Sequence, residues 1–242
     1  MSARSSAAGR VRFVSVRHAG TGRSIAVLDP ETLRDYTRLV AEVAPAVEAG
    51  LSVRVLANRV ATCSVDPPLV RLRPWRTERG VFASRLSELA GSGATLAFAD
   101  VRRCYGSISP PRVAAGLRRF GVGTARAIEG FLDGLGPDGV EGLPIGPAPS
   151  AVLANAVLDH VDRALERADI VHVRWVDDLV LASADPRRAL DMLRGALEEI
   201  GLRLNERKTR VVRDVDRRNL GLGIGSPTAG RALRLAGVMA RG

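Results

Sequence analysis

Apolar and polar residues alternate in two short runs between Val11 and Leu28, VRFVSV and SIAVL, split by the turn signal GTG; the alternation predicts two strands. From Pro30 the period changes. Leu33, Tyr36, Leu39, Val40, Val43 and Val47 recur at helical spacing and predict a helix that Pro45 breaks or kinks. Between Leu51 and Gly80 the pattern loosens, and SVRVL and PLVRLRPW read as extended pieces. A helix over Val81 to Ala90 ends at GSG, and the strand TLAFADV follows with Asp100 near its carboxyl end. Ser109 with Pro110 and Pro111 opens a helix to Phe120 closed by Gly121, and another short helix follows Thr124. The turn GPDG and the loop GLPIGPAPS precede a long apolar helix from Ser150 to Arg167. IVHVRWV leads into the adjacent carboxylates Asp177 and Asp178 and LVLA leads out, which sets the acidic pair at the tip of a β-hairpin. Asp185 caps a helix with Pro186 at its first position, Leu190, Leu193, Leu197 and Ile200 as its buried stripe, and Gly201 just past its end. LRL and TRVVRDV are the last strands, and GLGIGSPTAG is turn-rich. The order describes an α+β layer, helices on one side of a mainly antiparallel sheet, with one face left for a ligand.

Two adjacent anions inside a strand-like apolar run cost folding free energy, because each prefers water and each repels the other. One reading is a polar hairpin turn, for which Asp is well suited. The other brings in Asp100, at the end of a strand that can neighbour the hairpin. Three carboxylates from two strands make an oxygen-rich site for a hard divalent cation, and a pair of Mg²⁺ ions in such a site supports phosphoryl transfer.

Composition favours an anionic partner. The formal net charge is +10 and the pI ≈ 11.1, most often a nucleic-acid signature and less often one of an acidic membrane. Of the basic residues 35 are arginine and one is lysine, so part of the charge reflects compositional bias. Cys63 and Cys104 form no disulfide framework and no metal-ligand spacing, no apolar run reaches the length of a membrane span, and MSARSSAAGR is followed by no apolar signal core; the expected compartment is the cytoplasm.

Four segments, in order, resemble the palm motifs of reverse transcriptases: FADVRRCYGSI (Phe98 to Ile108), GLPIGPAPSAVLANAVLDHVD (Gly142 to Asp162), RWVDDLVL (Arg174 to Leu181) and GLRLNERKT (Gly201 to Thr209). GLPIGP together with WVDD is most similar to the bacterial defence-associated and abortive-infection branch. The resemblance implies that Asp100, Asp177 and Asp178 bind two Mg²⁺ ions, for which Mn²⁺ substitutes, with the backbone carbonyl of Val101 assisting. It implies that Tyr105 packs under the incoming sugar and excludes a 2′-hydroxyl, and that Gly142, Leu143, Pro144, Ile145 and Gly146 form a loop against the nucleotide or template. Ile145 stands where many members carry Gln. Trp175, where many carry Tyr, and Val176 lie beside the primer end. Lys208 is the only lysine, and since arginine does not release a proton, a proton donor to departing pyrophosphate at this motif has to be lysine. Arg71 and Arg73 alternate on a strand, on one face, where they suit triphosphate oxygens.

The expected organisation is a tail over 1–10, a fingers-like region over 11–94, a palm over 95–214 and a short C-terminal extension over 215–242, with the thumb minimal or absent. The leading expectation is a Mg²⁺-dependent enzyme that extends a DNA 3′ end with dNTPs on an RNA template in antiviral defence. Its partners are an RNA template or structured non-coding RNA, the DNA product, and a protein partner or second copy in place of the thumb, with no membrane. The alternatives are a catalytically silent polymerase-like subunit that binds RNA or a partner polymerase, and a nucleotide cyclase, whose palm is similar but to whose pattern the GLPIGP loop does not belong.

Overall fold

The two alternating runs at the start of the chain pair as an antiparallel hairpin, β1 (Val11–His18) with β2 (Thr21–Leu28), in a register that sets Phe13 opposite Ala26. The computed structural model describes residues 10–18 and 21–212. Asp29 caps α1 (Pro30–Gly50) by accepting from the amides of Glu31 and Thr32. The helix does not break at Pro45, because Tyr36, Val40, Val43, Ala44 and Val47 are all buried and that packing outweighs the one hydrogen bond proline cannot donate.

SVRVL stays irregular apart from a bridge between Val55 and Arg174. The strands of this region are β3 (Val60–Ser64) and β4 (Leu69–Leu72), paired across a register shift at Val60/Thr62. α2 (Trp75–Gly91) begins earlier than the apolar period indicates, at the cap residue Pro74, with Glu78 placing a carboxylate in its first turn.

β5 (Thr95–Asp100) leads through α3 (Cys104–Ser107) to α4 (Pro110–Arg118), α5 (Ala125–Asp133) and the long α6 (Ala148–Arg167). On α6, Leu153, Val157, Val161 and Leu165 are essentially fully buried, worth about 1.5–3 kcal/mol each. The hairpin of β6 (Val171–Trp175) and β7 (Asp178–Ser183), then α7 (Pro186–Glu199) and β8 (Arg210–Val212), complete the described chain. LRL makes only a bridge, Leu204 to Val101, and a 3-10 turn over Glu206–Lys208 follows it. The GLGIGSPTAG segment lies outside the described residues.

The main sheet has the order β6-β7-β5-β8, antiparallel throughout. Its pleat sorts the core in two. Ala97, Ala99, Leu179 and Leu181 face one large cluster shared with α1, α4, α6 and α7. Leu96, Phe98, Val173, Trp175 and Val180 face a smaller one with Phe82 and Leu86 of α2. Helices thus pack mainly on one face, and α2 lies over part of the other.

Candidate active site

β5 and β7 run antiparallel with Asp100 directly opposite Asp178, and the amide of Val101 donates to the carbonyl of Asp177 at 3.0 Å. Register alone therefore brings the three acidic positions to one end of the sheet. Asp100 is buried, with one carboxylate oxygen accepting from Asn205 Nδ2 at 2.7 Å and the other paired with Lys208 Nζ. The 3-10 turn explains that pairing: Asn205 is anchored by its own amide on the Asp100 carbonyl at 2.8 Å, and three residues later the turn returns Lys208 to the same side. Asp177 is half-buried and lines a cleft of about 1210 Å³; Asp178 is buried behind its wall.

The hairpin tip is strained. Trp175 pairs with Asp178, so Val176 and Asp177 are the two central residues, and Val176 has φ +58°. Positive φ at the first central residue is the type II′ pattern, which favours glycine, and a β-branched residue there costs of order 1–3 kcal/mol. A buried polar network lies beneath the tip. Arg174, fully buried, donates to Asp162 through Nη2 at 2.7 Å and through Nε at 3.0 Å. Its Nη1 donates both to Asn155 Oδ1 and to the Val176 carbonyl, each at 2.9 Å. Asn155 Nδ2 in turn donates to the carbonyls of Ala57 and Asn58, at 3.1 and 3.2 Å. Burial opposes ionisation of Asp162, but Arg174 and the hydrogen bond from His172 outweigh it and hold the carboxyl below the ordinary carboxylate range. Sequence reasoning passed over these residues, although the signal was there: His172 and Arg174 alternate on one strand face, and Asn155 and Asp162 stand seven apart on one helix face.

The cleft is lined by Ala57, Asn58 and Trp75, by Glu141, Leu143, Pro144 and Ile145 of the glycine-proline loop, and by Trp175, Val176 and Asn205 to Lys208. Tyr105 also lines it, and its buried hydroxyl has no hydrogen-bond partner among the described residues; burial pushes its pKa well up, so it stays neutral. Phe13 and Ser24 of the β1–β2 hairpin reach the rim, and the amide of Ala26 on β2 donates to the Ile145 carbonyl at 2.8 Å. The loop glycines approach protein rather than the cleft. At Gly142 (φ +65°) a Cβ would meet the Tyr105 carbonyl oxygen at 2.5 Å, and at Gly146 (φ +133°) the Ile25 side chain at 2.8 Å. Trp175 is buried against Phe82, ring centroids 5.2 Å apart, with one edge on the cleft. Arg71 and Arg73 are not brought to the cleft: Arg71 is exposed on β4, and Arg73 pairs with Glu48 at 2.7 Å. The basic groups on the cleft wall are Arg102, Arg103, Arg207 and Lys208.

The donor set suits a hard divalent cation by type: carboxylate and backbone oxygens, with no imidazole among the cleft-lining residues and one cysteine, Cys104, whose thiol burial keeps protonated. In this arrangement Lys208 supplies the positive charge against Asp100. Among the described residues no three acidic, His or Cys side chains stand close enough to hold an ion together.

A family model described as Reverse transcriptase (RNA-dependent DNA polymerase) matches residues 50–224. No curated protein matches the sequence. Among solved structures, the telomerase of Candida albicans, in complex with the TWJ fragment of telomeric RNA, is similar to the chain at 13% identity with a TM-score of 0.52, over 85% of this chain and 43% of that one. The apo telomerase of Candida tropicalis, truncated from the C-terminal domain, gives 12% identity and a TM-score of 0.46, over 84% and 49%. The chain thus spans less than half of each telomerase chain, and the Candida albicans likeness supports the polymerase palm fold. No helix among the described residues is long and apolar enough to cross a membrane.

Proposed function

The chain belongs to the reverse transcriptase (RNA-dependent DNA polymerase) family, and from that premise we propose that it is a divalent-metal-dependent nucleotidyltransferase that extends a DNA 3′ end with dNTPs on an RNA template. The observation that carries the reading is the β5–β7 register, which sets Asp100 opposite Asp178 with Asp177 at the hairpin tip, on the same cleft as Tyr105 and Lys208. Asp100 and Asp177 would hold Mg²⁺, or Mn²⁺ in its place, with Asp178 and the Val101 carbonyl assisting. Bound there, the metal would supply charge neutralisation at the attacking and leaving oxygens.

The chain's own groups do the rest. Lys208, which is paired with Asp100 in this structure, would be free to hold a proton for the departing pyrophosphate once Asp100 served a bound cation instead. Tyr105 closes the floor of the sugar site as a neutral aromatic. Arg102 and Arg207 supply cations for phosphate oxygens on the cleft, a role that the Glu141-bound Arg103, the exposed Arg71 and the Glu48-bound Arg73 take only by leaving their present partners or places. Leu143, Pro144 and Ile145 offer an apolar surface to the base pair, with Ile145 in place of an amide, while Trp175 supports Val176 beside the primer end. We assign residues 11–94 to the fingers and 95–214 to the palm. A protein partner or a second copy is assigned the grip on the duplex behind the cleft. The GLPIGP and WVDD segments support a place in cytoplasmic antiviral defence, where a structured RNA serves as template or partner.

The test is incorporation of labelled dNTPs by pure protein in Mg²⁺, with and without RNA, beside an Asp177→Ala/Asp178→Ala variant. Incorporation that needs both RNA and the carboxylates is the expected result. Incorporation kept by the variant removes this reading. No incorporation combined with tight RNA binding replaces it with the catalytically silent subunit.

A further inference from the structure

The hairpin tip has an unusual requirement. Val176 must hold a left-handed backbone that valine disfavours, one residue before a carboxylate whose position matters to the cleft. The Val101 amide holds the Asp177 carbonyl of the turn, and Arg174 is the side chain placed to hold the carbonyl of the strained Val176. Its Nη1 reaches the carbonyl of the strained residue at 2.9 Å, and its Nε and Nη2 are locked from behind by Asp162. All of this happens with both side chains of the ion pair fully out of solvent. A buried ion pair is weak as a source of stability, because desolvation consumes most of the attraction. Its value here lies in geometry: a planar guanidinium with several fixed donors is rigid where a lysine ammonium would not be.

The same nitrogen also donates to Asn155 Oδ1, and Asn155 holds the carbonyls of Ala57 and Asn58, which also line the cleft. That loop is joined to β6 by the backbone as well, the Leu56 amide donating to the Arg174 carbonyl at 3.0 Å, so the guanidinium and the Asn155 amide add side-chain ties between the cleft-lining loop and the hairpin tip.

We propose that Arg174, fixed by Asp162 and shared with Asn155, is a positioning residue that clamps the Val176–Asp177 turn and so presents the Asp177 carboxylate to the metal site. The inference rests on the nucleotidyltransferase reading for what the carboxylate does, but its test reads the turn directly. Arg174→Lys keeps the charge opposite Asp162 and loses the fork that reaches Asn155 and Val176 together. Binding of Mn²⁺, followed through the loss of the free-ion paramagnetic resonance signal, is expected to weaken roughly 10–100-fold. The cooperative melt is expected to persist. In primer extension, kcat falls by a similar factor with KM for dNTP within about threefold, since a positioning defect acts on the reacting geometry rather than on uniform binding.

The double variant Arg174→Lys/Val176→Gly separates a clamp from a general structural role. Glycine adopts the turn's φ without strain, so the clamp is no longer needed and Mn²⁺ binding returns toward that of the parent. If Arg174→Lys fails to fold, Asp162→Asn, which keeps the shape of the pair, is compared with Asp162→Asn/Val176→Gly in the same way. Unchanged Mn²⁺ affinity in a folded Arg174→Lys overturns the proposal, as does a loss that glycine at 176 leaves in place. Parent protein that binds Mn²⁺ but incorporates no nucleotide counts against the enzymatic reading alone, and parent protein that binds no Mn²⁺ counts against both.

Discussion

Glu78 offers a quantitative test of how the wall of the cleft is held. It lies in the first turn of α2, only 7% exposed, and its carboxylate accepts from the backbone amides of Asn58 and Arg59. Burial pushes its pKa up from an ordinary 4.5 to about 7, against the opposing charges of Arg73 and Arg59. Burial wins because both arginines are shared: Glu48 takes Arg59 at 2.9 Å and Arg73 at 2.7 Å. Between those two pH values the folded protein keeps a proton that the unfolded chain releases, so stability falls as pH rises through the window and the full penalty stands above it. At ~1.4 kcal/mol per unit, and discounted for residual solvent contact and the arginines' charge, the penalty is on the order of 2 kcal/mol. Glu78→Gln keeps an acceptor for the two amides and removes the charge. Thermal unfolding of both proteins at a pH of about 4.5, 6 and 8 is the assay. The glutamine variant is expected to match the parent at the acid end and to melt roughly 4–8 °C higher at the alkaline end. A difference that does not change with pH, or a glutamine variant that is less stable at the alkaline end, would refute the reasoning.

Three further substitutions probe the site. Gly142→Ala forces a left-handed alanine against the Tyr105 carbonyl, so about 2–4 kcal/mol of stability is lost and the melting temperature drops roughly 5–15 °C, measurable by circular dichroism. Lys208→Arg keeps the charge beside Asp100 but has no proton to give, so single-turnover extension should slow about 10²–10⁴-fold while the melt stays within a few degrees; an undiminished rate would remove the proton-donor role. Tyr105→Ala opens the floor of the sugar site, and ribonucleotide use relative to deoxynucleotide should rise roughly 10–100-fold in competition assays, whereas an unchanged ratio would show that selection lies elsewhere.

How much of this was legible in the chain depends on how local the signal was. TLAFADV and RWVDDLVL declared themselves because acidic residues interrupt apolar runs, and β5 and the hairpin stand where those runs placed them. α1 ran through Pro45 because tertiary burial of one helical face is invisible to a rule about proline. VATCS carries no alternation strong enough to declare β3, which exists by pairing with β4 across an irregular register. Gly142 and Gly146 were read as part of a loop against the nucleotide or template, whereas the neighbours they make room for, the Tyr105 carbonyl and the Ile25 side chain, belong to the protein and are set by the fold. Arg71 and Arg73 show the limit: strand periodicity puts them near one another, but only the placement of β4 and Glu48 decides what they reach. Arg174 was readable as a charge inside an apolar strand, and its partners became visible only when α6 was laid behind the sheet.

The central claim is that the acidic positions brought together by the β5–β7 register hold the metal of a polymerase. Anomalous diffraction from crystals soaked in Mn²⁺ and a dNTP measures this directly. The expected map has Mn²⁺ bonded to the carboxylates of both Asp100 and Asp177, with Lys208 released toward the triphosphate. Asp100 still paired with Lys208, and no ion between β5 and the hairpin tip at saturating Mn²⁺, would contradict it.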